Sequence, residues 1–278
     1  MNLNDVLLEI KKREDVGETA EVLLQSIKSM LEEYQCINRQ ESKLLDKLIN
    51  DMPEDYEFND NSTESKRGNK VYFRNIEERL ICEIRKADVV LGAVAWVKKD
   101  EIIDALAEKD NVFIVIDKNP MFKSDYSKLS KKDRDERNKL IKKYKNLTCN
   151  LSPYQFDNLL NKVSEDCSPI IEPIKCVGKE KTYPYSLMHN KFLIFARMIK
   201  EKIEMEEKVF YLDKVKPYAV WTGSFNLTFN ATQSLENALL ITDEEIVNAY
   251  FKEFGQIAAI SEKLLWDSPL PNPDWKFT

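Results

Sequence analysis

The chain has 278 residues, 43% of them hydrophobic and 10% aromatic, which suits one large globular domain with an appendage. A net charge of −6 does not mark a protein held to nucleic acid by bulk charge, and the longest apolar run, Val89 to Val97, is too short to cross a bilayer. Five cysteines without a C-x-x-C pair, beside a single histidine, argue against a structural zinc site and for reduced, inert thiols.

Residues 3 to 50 read as helix: Val6, Leu7 and Ile10, then Val22, Leu23, Ile27, Met30 and Leu31, recur at spacings of three and four. Residues 51 to 69 are rich in Pro, Asp, Asn and Ser and read as a linker. We therefore expect a helical segment over 1–65, used for docking or dimerisation, and a catalytic domain over 66–278. The N-terminus lacks a basic region followed by an apolar one, so the expected compartment is cytoplasmic.

From Val71 the pattern alternates between strands and helices. Ile76 to Ala87 is helical, with Ile76, Leu80 and Ile84 on one face. Val89 to Val97 reads as a strand buried on both sides, Lys99 to Glu108 as helix, and Val112 to Ile116 as a second buried strand ending at Asp117. Between Lys128 and Lys145 nine Lys or Arg face three Asp or Glu, which is either a solvated helical face or a phosphate-tracking patch. Ile174 to Val177 is a short strand, and Leu187 to Met198 carries the histidine. Val209 to Leu212 and Ala219 to Thr222 flank an expected turn at Pro217. Asn237 to Thr242 is a further strand, followed by a long helix from Asp243, its N-cap, to Trp266. Trp96 and Trp221 read as core aromatics. Strands alternating with helices define an α/β fold with a largely parallel or mixed sheet.

Three pieces carry chemistry. His189 and Lys191, two apart on a strand, share a face, placing an imidazole beside a fixed positive charge. Gly223, Ser224 and Asn226 follow a strand, where glycine permits close backbone approach and the polar side chains offer neutral donors to phosphate oxygens. Glu236 supplies a carboxylate, the usual partner for orienting a nucleophilic imidazole.

In this order the residues resemble the phospholipase D superfamily, with its H-x-K-x4-D signature and downstream G-S/G-x-N. His189 and Lys191 match the first motif, Gly223, Ser224 and Asn226 the second, and Glu236 the later acidic residue that holds the histidine. The resemblance covers about residues 71 to 266 and implies a mixed β-sheet flanked by helices. The signature aspartate falls on Ala196, with Asp213 as a candidate substitute after a hairpin, and a charged insertion, Lys200 to Lys208, separates the motifs.

The resemblance implies a metal-independent phosphodiesterase without a cofactor. One histidine attacks phosphorus and a second protonates the leaving oxygen. Because this chain has one histidine, a homodimer through the active-site face must supply both. The implied substrate is nucleic acid, DNA ahead of RNA, and the implied setting a bacterial restriction or defence system in which the N-terminal helices dock a protein partner. Phospholipid cleavage or phosphatidyl transfer, and a catalytically degenerate scaffold, are the alternatives.

Overall fold

The computed structural model describes residues 59–118, 129–156, 171–177, 188–205 and 208–266. The expected helical segment and its docking role fall outside these residues, except for its last few positions, 59–65.

The chain order is β1 (Thr63–Glu64), β2 (Lys70–Tyr72), α1 (Ile76–Lys86), β3 (Val89–Val94), α2 (Asp100–Ala107), β4 (Val112–Asp117), α3 (Lys131–Tyr144), β5 (Ile174–Val177), β6 (Lys191–Met205), β7 (Lys208–Gly223), β8 (Ala238–Ile241), α4 (Glu244–Ala259) and β9 (Glu262–Lys263). Together the strands form one nine-stranded sheet in the order β1-β2-β8-β7-β6-β3-β4-β5-β9. Pairing is parallel from β3 through β4 to β5 and antiparallel elsewhere, so the sheet is mixed as expected. No helix among the described residues is long and apolar enough to cross a membrane.

Every residue of β3 and β4 is buried, because both faces of the sheet are covered. On one face Leu80 and Ile84 of α1, Ile102 and Leu106 of α2 and Leu140 of α3 pack on Val90, Val94, Ile114 and Ile116. On the other, Val247, Phe254 and Ile257 of α4 pack on Leu91, Ala93, Phe113 and Ile194. Each such side chain, fully buried, contributes about 1.5–3 kcal/mol, which fixes the strand ends where the polar residues gather.

The charge-rich helix α3 is spent on packing. Its N-cap, Ser130, accepts the Asp133 N–H at 3.1 Å. Lys143 pairs with Asp104 at 2.5 Å and with Asp100 at 3.6 Å, and Lys139 also pairs with Asp100. Arg137 is buried and donates to the Trp266 carbonyl oxygen. The lysine pairs join α3 to α2.

Four expectations are corrected. Pro217 makes no turn: β7 runs through it, and the register shifts from Phe195↔Ala219 to Ala196↔Pro217, a bulge that leaves Tyr218 unpaired next to a proline unable to donate to the ladder. The C-terminal helix, capped by Asp243 accepting the Ile246 N–H at 3.2 Å, ends at Ala259, and Glu262–Lys263 turns back to pair with β5. β3 stops at Val94, short of Val97, which makes a single bridge to Leu227. Cys82 is disulfide-bonded, whereas Cys149 and Cys176 are free thiols that burial pushes up to about 11. Sequence spacing carries no information on which cysteine meets another in space.

β6 and β7 are the longest strands, with 15 and 16 residues. Their neighbours β3 and β8 accompany them only near the start of β6 and the end of β7. Beyond that, among the described residues, the pair continues as a two-stranded ribbon. It carries the exposed Ile199, Val209, Phe210 and Tyr211.

Candidate active site

His189 lies just before β6, not within it, so strand alternation is not what brings it to Lys191. Its backbone is instead held on both sides. The Met188 N–H donates to Asp117 Oδ1 at 3.2 Å, and the Ala95 N–H donates to the Asn190 carbonyl oxygen at 2.9 Å. Asp117 ends β4 and Ala95 follows β3, so the ends of two parallel strands grip the chain where it enters β6. The imidazole is exposed.

Lys191 turns back over it. Its Nζ stands 3.1 Å from Nδ1 and 3.4 Å from Nε2 of His189 and donates to the His189 carbonyl oxygen at 3.1 Å. Burial holds the Lys191 ammonium below the usual lysine range, and the Glu236 carboxylate pulls the other way. Imidazole and ammonium thus meet as expected, but through the reach of the lysine chain.

Ser224 and Glu236 form a second unit. The Ser224 hydroxyl donates to Glu236 Oε2, and its oxygen accepts the Asn237 N–H at 3.0 Å. The Ser224 N–H donates to the Asn237 carbonyl oxygen at 3.1 Å. This interlock of the β7 end with the β8 start requires Gly223, whose φ of +152° and tight surroundings exclude a side chain. Within the described residues Glu236 is bonded to Ser224 and not to His189; it reaches the site electrostatically through Lys191.

The Asn226 carboxamide oxygen is buried with no partner among the described residues. Such an atom costs free energy, about 1–3 kcal/mol, and as an acceptor it is open to an incoming donor. Trp96, expected in the core, packs its indole edge-on to His189 at a centroid distance of 5.7 Å, and its Nε1 is likewise unpartnered. Trp221 is core, stacked on Tyr72 at 5.5 Å.

Two further residues settle the missing signature aspartate. Ala196 is fully buried on the α4 face of the sheet, where a carboxylate would be desolvated. Asp213 lies opposite Lys200 out on the ribbon, away from the site, and does not substitute. At this level of β6 the nearby carboxylate is that of Asp88, which accepts the Met198 N–H at 3.1 Å, while the Asp88 N–H donates to the Ala196 carbonyl oxygen at 3.1 Å.

Asp117 went unassigned in the sequence because it reads as the last residue of a strand. Burial pushes its carboxyl above the usual range, against the Met188 N–H and a charged His189, both of which lower it.

A family profile described as "Cardiolipin synthase, PLD-like domain" matches residues 86–258. An uncharacterized protein of Acanthamoeba polyphaga mimivirus is 31% identical over 217 residues, covering 76% of this chain and 70% of the relative. Among solved structures, NucT from Helicobacter pylori is 17% identical, with a TM-score of 0.38 over 69% of this chain and 96% of that one. Nuc from Salmonella typhimurium, described as a phospholipase D family member, is 15% identical, with a TM-score of 0.38 over 70% and 96%.

Proposed function

The chain belongs to the phospholipase D-like family, and on that premise we propose that it is a metal-independent phosphodiesterase, a nuclease working at a composite site of a homodimer. The supporting observation is the exposed His189, its backbone fixed by two strand ends and its ring beside the Lys191 ammonium.

In this reading the imidazole of one subunit attacks phosphorus. A P–N bond forms as the P–O bond to the leaving group breaks, and the second imidazole gives its proton to the departing oxygen. Water, deprotonated by that second imidazole, then displaces the phosphoryl group from the first. The two Lys191 side chains neutralise the phosphate, and the two Asn226 side chains donate amide N–H groups to its oxygens. Ser224 and Glu236 hold the loop and keep Lys191 charged. One histidine per chain makes the second copy necessary, and a twofold axis beside the exposed ring supplies it.

DNA is the first substrate to try, with RNA second; a restriction or defence setting and a protein docked by the N-terminal segment belong to the same proposal, as does a cytoplasmic location. A second reading, phosphatidyl transfer, draws on the matched profile's description, which names cardiolipin synthase.

The test is cleavage of plasmid DNA, RNA and a chromogenic phosphodiester in EDTA, beside His189→Ala. Cleavage that survives chelation, with an acid-labile phosphoryl adduct on His189 and loss of both in the variant, supports the nuclease reading. Transfer of a phosphatidyl group to an alcohol without DNA or RNA cleavage would replace it with the lipid reading. No turnover of any of these by a folded dimer would leave a scaffold.

A further inference from the structure

We infer that Asp117 is a positioning residue for His189: its carboxylate anchors the backbone entering the histidine and places negative charge within electrostatic reach of the imidazole. This rests on the reading of His189 as the nucleophile.

Asp117 is 6% exposed, one of four buried polar or charged residues among those described. Aspartate is almost never so buried without a task for its charge. Its backbone is fully engaged in the sheet: the Asp117 N–H donates to the Ala95 carbonyl oxygen at 3.3 Å, and the residue pairs with Val177 of β5. The side chain is therefore not needed to hold β4 in place. It reaches instead across to Met188, accepting that N–H at 3.2 Å. Among the described residues Met188 pairs with no strand, and the carboxylate takes that place. On the other side of His189, Asn190 is tied to Ala95. Both ties converge on the ends of β3 and β4, and removing the Asp117 tie leaves the histidine hinged on one side only.

Charge adds a second effect. Asp117 and a protonated His189 stabilise each other, since coupling between two titrating groups is reciprocal. Among the described residues the charged groups around His189 are Lys191 from the start of β6, Asp117 from β4 and, across Lys191, Glu236. Trp96, the neutral neighbour from the end of β3, closes one edge of the ring. Of the three charged groups, Asp117 is the one that holds the residue entering the histidine.

Asp117→Asn separates the two roles, because the carboxamide oxygen can still accept the Met188 N–H while the charge is gone. Asp117→Ala removes both. The chain's one histidine gives one imidazole NMR signal, whose position reports the ring's surroundings whether or not a substrate is known. In Asp117→Asn, where the tie to Met188 can persist, that signal should stay near its parental position and KM should be unchanged. In Asp117→Ala, kcat should drop by about 100-fold, the cost of misplacing a reacting group by about 1 Å, with the asparagine variant restoring most of it. An imidazole signal unmoved in Asp117→Ala, or a parental kcat in that variant when folded, would overturn the inference. If the parent cleaves no phosphodiester, the nuclease reading fails separately, and the histidine signal still decides the positioning.

Discussion

Gly223 and Asn237 approach so closely that a Cβ on the glycine would stand 2.3 Å from the asparagine's carbonyl oxygen. The obstructing atom is backbone in the paired start of β8, so it cannot swing aside. Gly223→Ala should therefore destabilise the fold by about 1–3 kcal/mol through the forced φ alone, with the clash on top. Urea unfolding measures this, and cleavage activity should fall further than stability, because Ser224 and Asn226 follow directly. A variant as stable and active as the parent would show that the β7–β8 junction is looser than described.

Asp117 should cost stability while serving function. Its carboxyl is raised by burial, so between about 3.8, the ordinary value, and its higher native value the folded state binds more protons than the unfolded one. Stability then falls as pH rises through that window. Asp117→Asn lacks this term, so its stability relative to the parent should rise from about pH 4 toward neutrality, as denaturant titrations at several pH values would show. The opposite slope would mean that the carboxylate is stabilised in the fold.

Lys191 should set the alkaline limit of activity. Burial already lowers its affinity for a proton, and the Glu236 carboxylate offsets part of that. Glu236→Gln removes the offset, so Lys191 loses its proton at a lower pH and the alkaline limb of kcat/KM moves down in pH. The Ser224 bond to this position can persist through the amide oxygen, which keeps the structural loss small. An unmoved limb would detach Glu236 from the lysine.

Lys139 and Lys143 of α3 are engaged with α2, so these two should contribute nothing to substrate binding. Replacing Lys139 and Lys143 together with alanine removes pairs to Asp100 and Asp104. Nucleic-acid affinity and its dependence on salt should stay at parental values, since the slope counts only cations that meet phosphate. A shallower slope would return the helix to the substrate-binding surface.

How much of this was legible beforehand follows from what each signal depends on. The continuous apolar runs of β3 and β4 marked strands buried on both faces, and the Asp243 cap marked the start of α4, because each is a local signal. The end of α4 was not legible, since Leu264 continues the apolar spacing while it is in fact buried beyond a turn into β9. Pro217 signals a turn in any isolated peptide; only the paired strand opposite turns it into a bulge. Among the candidate site residues, His189 and Lys191 meet as sequence order suggested, whereas Glu236, expected on the histidine, is bonded to Ser224. The ties of Asp117 and Trp96 to the histidine depend on strand order, which no local pattern encodes.

Shortening the β6–β7 ribbon should leave the site intact. Replacing residues 201–212 with a two-residue Asn-Gly turn joins Lys200 to Asp213, which already face each other. The variant should fold, keep parental kcat, and stay soluble at higher concentration, because Phe210 and Tyr211, 50% and 68% exposed, are gone. Loss of activity in a folded variant would assign the ribbon a part in substrate binding or assembly.

That ribbon also explains why the interval between the two motifs is a poor ruler. His189 and Ser224 sit at the open ends of one antiparallel ladder, so rungs added at the far tip change the count of intervening residues without moving the ends apart. Lineages of this fold are free to lengthen or trim the tip by pairs of residues. Motif searches that cap the gap between H-x-K and G-S-x-N will therefore pass over chains whose chemistry is complete.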